Sequence, residues 1–355
     1  MKPEKHIPAD IKIRSSKKTV LIFFILALLL LLFFVLDIFL GSVSFKPAEV
    51  IKALINNTGA GVDTIILKFR LPKAITAIFV GIALSISGLQ MQTIFRNPMA
   101  GPYVLGVSSG ASLGVAIVIL GYSSSIAPVN LMTLGNWILV VSAWIGAGTV
   151  MILIMFISSR VKDIMVILII GIMLASGISA IVSIMQYFSN ETMLKAYVIW
   201  TMGSLGNISS GQLKVLIISV SAGMLLSIIS IKMLNALLLG ENYATSIGLN
   251  VRLSRVLIFS CTSILAGSVT AFCGPIGFIG IAVPHISRNI FRTSDHKILV
   301  PGTILTGGAV MVLSDIISQL PGSGSVLPVN SVTSLIGIPV VIWVILRNKR
   351  NSGLF

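Results

Sequence analysis

Residues 19–40, TVLIFFILALLLLLFFVLDIFL, carry no charge before Asp37, and apolar runs of this length recur to the far end of the chain. A hydrocarbon core of about 30 Å takes ~20 apolar residues per helix. Ten such segments fit: 19–40, 74–94, 104–121, 133–157, 164–186, 212–232, 256–272, 275–290, 298–318 and 327–346. The expected fold is therefore an all-α polytopic membrane protein with ten transmembrane helices. An N-terminal tail (1–18) and a C-terminal tail (347–355) flank a membrane domain at 19–346. No stretch remains for a soluble domain, since 55% of the 355 residues are hydrophobic and only 10% are charged. The first run has a basic flank like a signal peptide, but it is longer than a usual h-region and no A-x-A site follows, so it reads as a retained span.

A formal charge of +15 would suggest nucleic acid in a soluble protein. Topology accounts for most of it. With the N-terminus inside, ten crossings return both termini to the same side, and the Lys and Arg residues concentrate there, as the positive-inside bias requires. Lys46, Lys52, Lys68, Arg70, Lys73, Lys195 and Lys214 are the ones left outside. The surplus is a topogenic signal, with lipid as its partner and no nucleic acid. Cys261 and Cys273 are twelve residues apart around one span, about 18 Å along a helix, too far for a disulfide. His6, His285 and His296 have no ligand spacing between them. No metal site and no cofactor is expected.

The segment FRNPMAGPYVLGVSSGASLG, residues 95–114, interrupts this pattern. Asn97-Pro98 and Gly101-Pro102 are turn dipeptides, so Arg96–Pro102 reads as a turn between the second and third spans. Gly106, Gly110 and Gly114 then form a small-residue face on which helix backbones can touch. GVSSG and GASLG also match the G-x-S-x-G of a serine nucleophile, the mark of an intramembrane hydrolase. That elbow needs a strand before it and a base beside it, and neither is in evidence here. No residue of the chain is expected to catalyse a reaction.

RLPKAITAIFVGIALSISGLQMQTIFRNPMAGPYVLGVSSGASLG (70–114) and CGPIGFIGIAVPHISRNIFRTSDHKILVPG (273–302) resemble the FecCD-type permeases, as do WTMGSLG (200–206), GENYATSIGLNV (240–251) and SDIISQL with LPVNSVTSLIGIPVVIWVIL (314–346). The resemblance implies the ten-helix type II ABC importer permease fold in the bacterial cytoplasmic membrane, with both termini cytoplasmic. It also implies a homodimer that works with two ABC ATPase subunits and an extracytoplasmic binding protein. The implied cargo is a ferric siderophore or another iron chelate first, haem or cobalamin second.

The same resemblance assigns residues to parts. Asn97, Pro98 and Met99 match the cytoplasmic gate. Asp163, Ile164 and Met165 occupy its second position, where the cobalamin permease has small hydroxyl residues. Residues 233–255 match the segment that couples to the ATPase, with Gly240, Glu241, Ala244, Ser246, Ile247, Gly248 and Leu249 at the contact. The residues themselves suggest two short helices there, one ending near Ile247 and one opening after Asn250. Arg70 and Lys73 match a motif that docks the binding protein, and Gln319 stands where the family has a third docking arginine.

No G-x-x-x-x-G-K-[ST] loop is present, so ATP hydrolysis has to come from a partner. An ion-coupled secondary transporter is the competing class. Such carriers place ionisable groups near the bilayer midplane, whereas Asp37, Arg288 and Asp315 fall toward span ends and the centres hold Gln90 and Gln186. The broken segment CGPIGFIGIAVPHISR is expected inside the bundle, because freed carbonyls are tolerated in a membrane only where protein or water meets them.

Overall fold

The computed structural model describes residues 9–55, 61–121, 137–161, 163–320 and 323–352, without the side chains of 9–16, Ile345 and 347–352. The connection between the third and fourth expected spans, the cation Lys162 and residues 1–8 of the N-terminal tail lie outside the described residues. All the regular elements described are helices. In chain order they are α1 (Ala9–Phe39), α2 (Pro47–Ile55), α3 (Gly61–Ile65), α4 (Leu71–Ile94), α5 (Val107–Ile119), α6 (Trp137–Arg160) and α7 (Ile164–Tyr187). They continue with α8 (Glu191–Thr201), α9 (Ser210–Leu238), α10 (Glu241–Ser246), α11 (Val251–Cys273), α12 (Ile279–Phe291), α13 (His296–Ser318) and α14 (Val329–Ser352).

Each of the ten expected spans falls on a helix. Among the described residues, seven helical stretches are long and apolar enough to cross a membrane on their own. Helices α5 and α12 are shorter for a physical reason. Helix α5 has 13 residues, about 20 Å against a core of about 30 Å, and the chain before it makes up the difference. Residues 95–106 are not the simple turn expected: they climb back into the bundle, so that Pro102 reaches Gly280. Helix α12 is likewise 13 residues long and follows the non-helical 274–278. Buried against neighbouring helices, these irregular stretches have protein partners for their backbone groups. As expected, the broken α12 segment is internal, with Gly280, Val283, Pro284, His285 and Ser287 all buried.

Helix α4 is the hub. It packs on α9, α11, α12 and α13, and nearly all its residues from Val80 onward are buried. Helix α1 is apolar all round and leaves most of its large side chains exposed, the mark of a lipid-facing span. The hub depends on backbone contact, since lipid is as apolar as the helix faces and the helices associate by close packing. A Cβ on Gly88 would lie 1.6 Å from the Gly280 carbonyl oxygen. The small face read from the sequence works in the same way: a Cβ on Gly110 would sit 2.5 Å from Gly146 O, and one on Gly114 2.0 Å from Ser142 O, both on α6. Gly88→Ala is expected to cost about 3 kcal/mol by overpacking, read as a lower thermal midpoint in detergent. An unchanged midpoint would contradict the contact.

A five-residue π-helical stretch, Ile66–Arg70, joins α3 to α4. Pro72 follows closely and has neither an amide proton nor room for the carbonyl four residues back. The helix widens there, and the Leu71 amide bonds to the Ile66 carbonyl, five residues back.

Candidate functional site

One end of the bundle gathers residues 93–99, 160–161, 163–165, 235–255 and 292–296. The loop after α4 is set by its own residues and by α12. Asn97 Oδ1 accepts from the Met99 amide at 2.9 Å, an Asx turn that leaves Met99 39% exposed. His285 Nε2 donates to the Pro98 carbonyl at 2.8 Å. One turn on, Arg288 donates to the Gln92 carboxamide, whose own NH₂ bonds the Ile281 carbonyl at 3.1 Å. His285 and Arg288 thus anchor the loop that carries Asn97, Pro98 and Met99. Asp163 caps α7, accepting from the Met165 amide at 2.8 Å. Ile164 and Met165 begin that helix, and Met165 is exposed. The Lys297 amide, bonded to the Asp295 carboxylate, holds that carboxyl below its ordinary range.

The segment expected as a loop over 233–255 is mostly helical. Helix α9 runs through Leu238, and the second of the two expected short helices is the first turn of the 23-residue α11. Only 239–250 lies between them, carrying α10. Gly240 enters α10 at φ 111° and Gly248 leaves it at φ 84°, angles that other residues adopt only under strain. The Leu249 amide closes on the Ala244 carbonyl at 3.0 Å, and Asn250 caps α11 through the Leu253 amide.

Glu241 receives a two-pronged bond from Arg255, with Nη2 at 2.7 Å and Nε at 3.0 Å. Arg255 Nη1 also reaches the Val161 carbonyl at 3.1 Å, which ties α10 to the end of α6. Ala244, expected at a partner contact, is fully buried within this chain. Tyr243, Ile247, Leu239 and Leu253 are the exposed apolar side chains here, and Ser246 is exposed beside them.

At the opposite end the structure brings Arg70, Lys73 and Gln319 together, but not at the surface. Arg70 was expected as an outward cation. It is 7% exposed, and its guanidinium donates to the carbonyls of Ile38 and Phe39 at 3.0 Å each and to that of Val43. Ile38 and Phe39 carry unsatisfied carbonyls at the end of α1, where a cation is doubly favoured, and Val43 follows just beyond it. Lys73 pairs with Asp315 at 2.9 Å. Gln319, also buried, donates to Asp37 at 2.7 Å and to Asp315 at 3.2 Å. Lys68 and Phe69, on the other side of the π-helical stretch, are the exposed neighbours.

Two cavities were not legible beforehand. One of about 510 Å³ lies beside the Lys73–Asp315 pair and is walled by Leu139, Trp200, Phe272 and Val329. The other, about 240 Å³, is rich in hydroxyls: Ser108, Ser109 and Ser112 of α5, Ser179 and Ser183 of α7, and Tyr197 and Thr201 of α8 line it together with Gln186, Ile178 and Val182. The serines of the G-x-S-x-G matches therefore lie on a helix, without a strand before them among the described residues, and contribute to an uncharged polar pocket. Their spacing alone pointed to packing, because their partners come from helices about 70 and 90 residues further along.

Comparison with known proteins agrees with this architecture. The FecCD transport family profile matches residues 29–347. The hemin transport system permease protein HmuU of Yersinia pestis is 34% identical over 288 residues, covering 81% of this chain and 84% of its own length. The vitamin B12 import system permease protein BtuC of Escherichia coli is 33% identical over 289 residues, covering 81% of this chain and 85% of its own. A solved metal-chelate type ABC transporter in an inward-facing conformation superposes with a TM-score of 0.77 at 27% identity, over 92% of this chain and 99% of that one. With its helices, broken segments and motifs matched over nearly the whole length, the chain belongs to the FecCD transport family of ABC importer permeases.

Proposed function

We propose that the chain crosses the bacterial cytoplasmic membrane ten times with both termini inside, and that two copies form the channel of an importer driven by two ATPase subunits and fed by an external binding protein. The observation that carries the reading is α10: a short helix rigidly held by the Glu241–Arg255 pair, presenting Tyr243 and Ile247 to solvent on a chain with no phosphate loop of its own. Gly240, Ala244, Ser246, Gly248 and Leu249 shape that helix for docking in the ATPase. Asn97, Pro98 and Met99 form the gate, and Asp163, Ile164 and Met165 stand at its second position. Docking of the binding protein uses the surface over Arg70, Lys73 and Gln319. Arg70 and Gln319 are buried and Lys73 half-buried, so these three support it from beneath, and Lys68 and Phe69 make the contact.

The cargo proposed is a ferric siderophore or a related iron chelate. The structural likeness to a metal-chelate transporter supports it. Haem or cobalamin is the second reading, supported by the relatives named for hemin and vitamin B12. Proteoliposomes holding the permease, its ATPase and its binding protein separate the cases when uptake of a radiolabelled ferric siderophore, haem and cobalamin is compared with and without internal ATP. ATP-dependent uptake of the siderophore alone is expected. Uptake of haem or cobalamin instead would replace the cargo, and uptake driven by an ion gradient without ATP would replace the class.

A further inference from the structure

His296, at the first turn of α13, joins two helix ends that the proposed function needs to move together. It is 1% exposed. Its Nδ1 lies 2.7 Å from Asn235 Oδ1, and its backbone amide donates to the same oxygen at 2.9 Å. Asn235 is in the last turn of α9, three residues before its end at Leu238, where the loop that carries α10 begins. Its amide orientation follows from the bond that its NH₂ donates to Asp295 Oδ1 at 2.7 Å. An amide oxygen only accepts, so the ring proton sits on Nδ1 and Nε2 is left as an acceptor. At 2.8 Å from Nε2 stands the hydroxyl of Thr93, in the last turn of α4.

That hydroxyl has one proton and two acceptors in reach, the imidazole and the Leu89 carbonyl, also at 2.8 Å. It can bond only one of them at a time, which gives the chain two discrete arrangements in place of one rigid link, and the arrangement that serves Leu89 leaves the buried Nε2 without a donor. The next residue toward the N-terminus, Gln92, carries the Arg288 and Ile281 contacts that hold the loop with Met99. The two loops also approach directly, since the Arg96 guanidinium packs over Gly240.

We propose that the chain Asn235–His296–Thr93 transmits displacement of the α10 loop to the loop at 96–99, with Thr93 as a positioning residue whose hydroxyl switches partner. The inference rests on the proposed roles of those two loops. Coupling between distant sites requires an element with two arrangements that both sites bias, and the shared proton of Thr93 supplies one at the junction.

Thr93→Val tests it, because valine keeps the shape and removes the hydroxyl. The probe is the maleimide reaction rate of Met99→Cys in the permease–ATPase complex in nanodiscs, with and without Mg-ATP and vanadate. Both native cysteines are buried, so background labelling is low. With Thr93 intact, nucleotide changes the labelling rate. With Thr93→Val, about a tenfold loss of that response is expected, a typical size for one coupling element, while ATP hydrolysis stays near wild type. Thr93→Ser should keep the response. Asn235→Leu cuts the same chain at its other end and should behave as Thr93→Val does, so a variant that fails to assemble does not end the test. An undiminished response in either hydroxyl- or amide-deleted complex overturns the proposal, and so does a fall in hydrolysis parallel to the fall in gate response, which marks mere damage. A wild-type complex that binds and hydrolyses no ATP would sink the importer reading itself.

Discussion

Tyr243→Glu combined with Ile247→Glu is expected to release the ATPase from the permease while the permease remains folded and inserted. Both side chains point out of α10, 49% and 57% exposed, so neither change disturbs packing within the chain. At a docking surface, buried aromatic and aliphatic anchors carry about 2–4 kcal/mol each, and a carboxylate facing an apolar groove adds a desolvation cost. Affinity for the ATPase should fall by at least about 100-fold, seen as loss of co-purification and of cargo-stimulated hydrolysis in nanodiscs. Ala244→Arg is the contrasting change. With Ala244 fully buried, an arginine there disrupts the loop itself, and its thermal midpoint should drop along with binding. Wild-type ATPase affinity in the double variant would show that α10 is not the docking element.

Lys73→Met should be among the most destabilising single changes at the opposite end. It leaves Asp315, 1% exposed at its side chain, without its cation and beside Asp37, which is itself 2% exposed. Removing one partner of a buried pair costs about 3–5 kcal/mol, whereas replacing both with apolar groups is often neutral. Lys73→Met with Asp315→Leu should therefore recover most of the loss, measured as the midpoint of thermal unfolding in detergent. Surface cations whose only role is docking predict a different outcome, since exposed pairs contribute ~0.2–1 kcal/mol and neither single change would move the midpoint. An unaltered midpoint in Lys73→Met would refute the buried network. The two variants also separate stability from docking, because the double replacement restores the fold without restoring any charge.

How much of this was legible depended on how local its cause was. The apolar runs at 19–40, 212–232 and 298–318 each carry enough hydrophobic length to form a span wherever they sit, and each is a helix. Asn250 reads as a cap and is one, because a cap bonds within three residues of itself. Helices α2 and α8 went unread: at 9 and 11 residues they are too short to be stable alone and hold their form by packing on their neighbours. The hydroxyl pocket was hidden for the same reason, since its lining comes from three separate helices.

The sequence by itself determined that this chain is a bundle of membrane helices, where most of its helix ends fall, and which family it belongs to, because length, hydropathy and ordered motifs are properties of consecutive residues. Only the tertiary structure decided which way the polar side chains face. Arg70 reads as an outward cation from LKFRLPK, yet the carbonyls that hold it come from residues 27 to 32 positions earlier. His296 had no ligand spacing and no partner in its own segment, yet it sits between Asn235 and Thr93, 61 and 203 residues away. Away from water a buried charge or ring nitrogen is costly without such a partner, and the chain fold alone determines which residue supplies it.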